Sequence, residues 1–280
     1  MPKTGWVQFR LTRPWPEIEA STSARVTLDR AGRWQVSFTQ PQLLFQRKPT
    51  VLVVGLDMGI AASVTTSNGG HLRMPKLLSP GEAQRKRRLQ RKLSRQTKGS
   101  NRRAGTKLQV AKLSARETDR RRDWIEKTTT NLVRDYDLIA VEDLKVKNMV
   151  QSAKGTLDNP GRNVRQKAGL NRSIQSQAWS LFRKRLTDKA ANATSPVLVI
   201  AVNPSYTSQT CRQCESVAAN NRKSQAVFSC VTCGYEANAD INAARNILAA
   251  GLAVAGRGGT PHAHKHSGPK KRQLPEGSAA

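Results

Sequence analysis

Two cysteine pairs limit this chain more than anything else in it. Cys211-x-x-Cys214 and Cys230-x-x-Cys233 stand fifteen residues apart and hold all four cysteines of the 280 residues. In a reducing compartment such clustering points to a metal rather than to disulfides. Two such knuckles bring four thiolates to the corners of a tetrahedron, which Zn²⁺ favours because it has no d-electron preference of its own. With all four corners filled by protein, no position is left for a substrate or an activated water, so the zinc is structural. It substitutes for the apolar core that so short a module cannot build. Arg212, Arg222 and Lys223 give this module a basic rim that suits either phosphates or plain solvation.

Charge narrows the partners. Lys and Arg number 48 against 19 Asp and Glu, a net charge of +29. A chain so unbalanced repels itself unless it works beside a polyanion, with nucleic acid first and an anionic membrane second. Residues 85–112 carry twelve Lys or Arg and no acid. Ordinary solvated helices interleave opposite charges, so this run reads as a phosphate-tracking surface carried by Arg85, Arg87, Arg88, Arg91, Arg95, Arg102 and Arg103. No stretch resembles a signal peptide or a spanning helix, since the longest apolar run, 51–56, is strand length. A cytoplasmic, nucleoid-associated protein without a membrane partner is expected.

The pattern along the chain is α/β with a mixed sheet. Residues 1–48 are β-rich, with "ARVTLDRAGRWQVSF" as a hairpin. "VLVVGLDMG", "LIAVEDL" and "VLVIAVNP" read as strands buried on both faces. A further strand turns at Asn68-Gly69-Gly70. The basic helical insert covers 81–136, with Ile125, Thr129, Leu132 and Tyr136 at helical spacing. Residues 147–169 read as a loop and 171–190 as one helix, with Ile174, Ala178, Leu181 and Phe182 inward. A last helix over 240–250 has Gly251 as its C-cap. The Gly-, Pro- and Lys-rich residues 256–280, with His262, His264 and His266, read as a disordered, solvated tail. The units expected are 1–48, a core over 49–205, a zinc module over 206–237, a closing helix over 238–255, and the tail.

Acids are scarce, so their positions carry weight. Asp57 sits in an otherwise Val, Leu and Gly strand, where a charge is expensive unless paired or bound to a cation. Gly59 after it allows close backbone approach. Glu142 ends the run "LIAVE". Asp240 stands in the first turn of a helix, where the dipole favours an anion. Taken singly, each fits a plainer role: bonded to backbone amides, paired with an arginine, or an ordinary N-terminal acid. Taken together, a strand interior, a strand end and a helix start can converge on one sheet edge. Three carboxylates there repel unless divalent cations sit between them, and oxygen ligands of this hardness select Mg²⁺ or Mn²⁺. Two such ions suit phosphodiester hydrolysis. Asp143 faces the other side of its strand and is given no metal role.

These residues, in this order, resemble the OrfB/TnpB family of transposon-encoded proteins, relatives of type V CRISPR effector nucleases. The matching stretches are "VGLDMGI", "LIAVEDLKVKNM" and "NPSYTSQTCRQCESVAANNRKSQAVFSCVTCGYEANADINAARNIL", with "RRLQRKLSRQTKGSNRR" and "GLNRSIQSQAWSLFRKRL" as further family-like segments. The resemblance implies an RNase H-like (RuvC) core with a helical insert, an N-terminal partial β-barrel and an inserted zinc ribbon. It implies Asp57, Glu142 and Asp240 as catalytic acids and Cys211, Cys214, Cys230 and Cys233 as zinc ligands. In such proteins a guide RNA from the element directs cleavage of matching DNA, in the service of mobile-element retention. Two residues depart from the family pattern: Glu215 stands where Gly is frequent and Glu126 where His is common. Family members are also longer, so an N-terminally shortened copy is expected. A non-catalytic nucleic-acid binder, such as a guided repressor or RNA-binding remnant, is the alternative; a ribbon that binds RNA structurally is a third.

Overall fold

The computed structural model describes residues 8–40 and 44–256; the histidine-bearing tail lies outside them. A short helix α1 (Trp15–Glu19) precedes an antiparallel hairpin of β1 (Ser23–Leu28) and β2 (Trp34–Thr39). Then come β3 (Val53–Asp57), β4 (Val64–Thr66) and β5 (His71–Leu72), the helices α2 (Pro80–Arg95) and α3 (Asn101–Asp135), and β6 (Leu138–Glu142). Helices α4 (Val146–Met149), α5 (Val164–Gln177) and α6 (Trp179–Ala191) lead to β7 (Leu198–Val202). A second hairpin, β8 (Val227–Ser229) and β9 (Glu236–Asn238), runs straight into α7 (Ala239–Gly256).

Five strands form one mixed sheet in the order β5-β4-β3-β6-β7. β3, β4 and β5 are antiparallel neighbours; β3, β6 and β7 are parallel. Strand alternation sorts the side chains into two layers. Val54, Leu56, Ile139 and Val141 pack with Ile125, Leu132 and Val133 of α3 and Phe182 and Leu186 of α6. Leu138, Ala140, Ile200 and Val202 pack with Ile247 of α7 on the other face. β6 is buried along its whole length, as expected for a parallel strand covered on both sides.

Helix α7 lies unusually close to the sheet. A Cβ on Gly55 would meet the carbonyl oxygen of Ala244 at 2.1 Å, and one on Gly251 would meet Cβ of Ala140 at 2.5 Å. Gly251 is therefore a packing residue inside the helix, not the expected C-cap; the helix continues to Gly256. Three other local readings change. The expected single helix over 171–190 is two helices, broken at Ala178 with φ +53°. The Ala178 carbonyl accepts from Leu181 and Phe182 and starts α6 afresh, which lets Trp179 and Phe182 enter the core. The expected loop over 147–169 is shorter, because α4 and α5 occupy both its ends. The expected strand at 51 begins only at Val53, because Asp137 accepts the backbone N–H groups of Thr50 and Val51 and holds Val51 at φ +55°.

The β1/β2 hairpin is a separate two-stranded sheet. It meets α3 through the Arg33–Asp119 ion pair at 2.6 Å. Trp34 and Leu28 on it are exposed.

Candidate metal centres and cationic surface

Both cysteine knuckles are built by the same backbone bonds. Cys211 N–H donates to Ser216 O and Cys230 N–H to Tyr235 O, while Glu215 N–H and Gly234 N–H donate back to Cys211 O and Cys230 O. Each turn needs a left-handed residue at its end. Gly234 supplies it at φ +72° and Glu215 at φ +60°, a conformation that costs a non-glycine residue about 1–2 kcal/mol. All four sulfurs lie within 4.8 Å of one another. Cys211 Sγ is 3.7 Å from Cys233 Sγ and Cys214 Sγ is 3.6 Å from Cys230 Sγ. A tetrahedron with zinc–sulfur bonds of about 2.3 Å has edges of about 3.8 Å, so the donor set fits zinc in both kind and spacing.

Three acids come near one another where this module runs into α7. Strands β3 and β6 run parallel with Val54 beside Ile139 and Leu56 beside Val141, so Asp57 and Glu142 end adjacent strands at the same edge. Asp57 shares its face with Gly55, and Glu142 shares its face with Ala140, which puts both carboxylates on the α7 side. The approach of α7 over Gly55 brings its first turn, with Asp240, above those strand ends. Asn238 fixes that turn by accepting from the N–H groups of Asp240 and Ile241 at 3.0 and 3.1 Å, a side-chain N-cap. Gly59 gives close approach too, but to the Ala62 carbonyl within its own turn.

Electrostatics show that the acids crowd one another. Burial, then the charges of Glu142 and Asp240, push the Asp57 carboxyl up to about 7, with Arg222 opposing. Burial also raises Glu142, against a hydrogen bond from Thr207 and the charge of Arg222. Such a site holds negative charge that the protein does not fully neutralise, and hard oxygen donors of this kind suit Mg²⁺ or Mn²⁺. The trio is looser than the thiol cluster: among the described residues, only the four cysteines bring three or more candidate ligand atoms within 4.8 Å of one another. Asp143 points away, paired with Lys145 and Arg183.

Two contributors were not legible in the sequence. Thr207 donates from Oγ1 to Glu142 Oε1 at 2.9 Å in a buried pair. Arg222 of the cysteine module, read as rim, instead turns inward and donates to Asp240 Oδ1 at 3.0 Å. The loop carrying Thr207 is tied down by α7, where Asn242 donates to Thr210 O and Asn246 to the carbonyls of Thr207 and Thr210. Two amides four residues apart on an alanine-rich helix were the available signal.

The basic run forms an antiparallel helical pair. Ser79 and Glu82 make a capping box at the start of α2. Glu82 then binds Arg116 and Arg120 of α3, and Glu117 binds Lys86. Part of the charge at that end is thus neutralised internally. Farther along, Arg88, Arg91, Lys92 and Arg95 line an open groove with Gln96 and no acid. Arg103, read as part of this surface, is turned to the hairpin's own backbone at Leu93 O and Gln96 O. Glu126 joins Arg185 and Lys189 in an ion-pair cluster between α3 and α6.

Residues 35–153 match the OrfB family model described as "Probable transposase", and residues 179–247 match the "Cas12f1-like, TNB domain". The chain is 40% identical over 255 residues to the Escherichia coli K12 protein named "Putative RNA-guided DNA endonuclease InsQ". The alignment covers 91% of this chain and 62% of that protein. The chain belongs to the OrfB/TnpB family. A Streptomyces pristinaespiralis family member, also named as a putative RNA-guided DNA endonuclease, is 36% identical over 90% of this chain and 58% of its own length. The chain thus spans about three fifths of the length of these relatives. Among solved structures, a Cas12f1–sgRNA–target DNA complex aligns with 76% of this chain and 41% of that one, at TM-score 0.46 and 16% identity. Asp57 and Glu142 lie in the transposase match, and Asp240 and the cysteines in the second. No helix among the described residues is long and apolar enough to cross a membrane.

Proposed function

We propose that this OrfB/TnpB chain is a metal-dependent endodeoxyribonuclease, directed to DNA by a guide RNA and tied to the maintenance of a mobile element. The observation that carries this reading is the meeting of Asp57, Glu142 and Asp240 at one sheet edge in a chain with only 19 acids. The strand order, three antiparallel strands joined to two parallel ones, supports the RNase H-like (RuvC) core. The names of the two long relatives support DNA and a guide RNA as partners. The division into an N-terminal hairpin unit, a core over 49–205, a ribbon over 206–237 and a closing helix follows the same reading, as does action at the nucleoid.

Asp57, Glu142 and Asp240 would hold Mg²⁺ or Mn²⁺, which when bound lowers the pKa of a water and steadies the leaving oxygen of a phosphodiester. Thr207 fixes the orientation of Glu142. Four thiolates would hold a zinc ion and so fix the module that carries Arg222. The α2 groove of Arg88, Arg91, Lys92 and Arg95 takes the sugar–phosphate backbone, with affinity that falls as salt rises.

A second reading, a binder that does not cleave, draws on Arg222: its guanidinium already neutralises Asp240, and the trio is looser than a closed metal site. The two readings separate on single-stranded DNA in Mg²⁺. Cleavage by the wild type that disappears in Asp57→Ala supports hydrolysis. Equal binding by both without cleavage supports the binder.

A further inference from the structure

We infer that Tyr206 is a stacking platform for an unpaired nucleobase of the DNA strand beside the acid edge. This inference rests on the nuclease reading for its substrate, but its test does not depend on cleavage.

Tyr206 holds φ +66°, a left-handed conformation that an aromatic residue adopts only when its surroundings impose it. Here they do: its carbonyl accepts from the N–H groups of Gln209 and Thr210, both at 2.9 Å, and from the Thr210 hydroxyl at 2.8 Å. The next residue is Thr207, whose hydroxyl reaches inward to Glu142. The strained turn therefore sends consecutive side chains in opposite senses. Thr207 goes into the acid edge, and the Tyr206 ring goes out into solvent, 64% exposed.

Position and chemistry then suit a base. Consecutive Cα atoms are about 3.8 Å apart and Thr207 binds Glu142 directly, so the ring stands within roughly 13 Å of the Glu142 carboxylate, a distance that a strand lying along the acid edge can span. Among the described residues, the ring has no aromatic partner and its hydroxyl no hydrogen bond. The other exposed aromatics, Phe9, Trp15 and Trp34, belong to the N-terminal hairpin unit. A tyrosine on a fixed backbone has only two side-chain torsions to lose on stacking, and every base offers a π-face. The platform is thus a positioning device that tolerates any sequence.

The test uses the full chain, without divalent metal, and single-stranded DNA oligonucleotides carrying 2-aminopurine at successive positions. In the wild type, quenching by stacking is expected at one position. Tyr206→Ala should abolish that quenching and weaken binding by roughly 5- to 150-fold, the range that base–aromatic stacking supplies. Tyr206→Phe and Tyr206→Trp should keep both. Tyr206→Gly, which suits the left-handed turn and cannot unfold it, should lose binding as Tyr206→Ala does. An abasic nucleotide at the quenched position should weaken the wild type by the same factor and leave Tyr206→Ala unchanged. Wild-type affinity in Tyr206→Gly, or a loss indifferent to where the abasic nucleotide sits, overturns the platform. DNA binding by the wild type without cleavage in Mg²⁺ would overturn the nuclease reading instead, and leaves the stacking measurement intact.

Discussion

The four thiols and the three carboxylates are built in opposite ways. The cysteine cluster is made by two local turns with identical bonding and closes to within 4.8 Å, with four donors that fit a tetrahedral zinc. The acid edge is made by two strands and a helix drawn from residues 57, 142 and 240. It is looser, it retains uncompensated charge, and an arginine from the cysteine module leans on it. A closed site stores folding free energy in its metal, whereas an open one keeps room for exchangeable ligands. One module therefore serves the other: the ribbon fixes Arg222 and the start of α7, and α7 carries Asp240.

Breaking the closed site has the largest expected effect. Cys230→Ser should reduce bound zinc from one equivalent to none and unfold residues 206–237, read by metal analysis and by loss of amide protection there. An intact ribbon in that variant would remove the contrast. Next comes the packing that places the open site. Gly55→Ala puts a methyl into the α7 backbone and should destabilise the protein by about 1–3 kcal/mol, the usual cost of overpacking. Zinc content should be unchanged. Thermal melts together with metal analysis separate the two.

The third test uses pH. An acid whose folded pKa lies above its ordinary value binds its proton more tightly in the fold. The contribution of Asp57 to the stability of the metal-free protein should therefore be fully present below the ordinary aspartate range, fall as pH rises to about 7, and level off above it. Divalent metal must displace that proton, so its affinity should rise through the same window. Asp57→Asn should flatten the stability slope; a slope unchanged in that variant would show that other groups cause it. The smallest effect lies in the first knuckle. Glu215→Gly relieves a left-handed backbone and should stabilise the ribbon by about 1 kcal/mol, seen as slower zinc release to a chelator, with the acid edge untouched.

What the sequence disclosed follows the same division. The Cys-x-x-Cys spacing is local chemistry, so its geometry could be read directly. The strands "VLVVGLD" and "LIAVE" were legible because burial on both faces leaves an unbroken apolar run, and their terminal acids stood out against it. The break at Ala178 was not legible, since alanine is the best helix former and only tertiary packing of Trp179 and Phe182 turns it. Thr207 and Arg222 were missed because their partners lie 65 and 18 residues away, and neither type announces its direction. Gly55 did carry a signal: a glycine inside an apolar strand marks close backbone approach, and that approach sets where Asp240 sits.

The central claim is that the three carboxylates form one divalent-metal site distinct from the zinc cluster. Titration of the zinc-loaded protein with Mn²⁺, followed by calorimetry, tests it most directly. Saturable binding that Asp57→Ala and Glu142→Ala each abolish, with zinc content constant, is the predicted result. Binding indifferent to both substitutions, or no binding by the wild type, would contradict it.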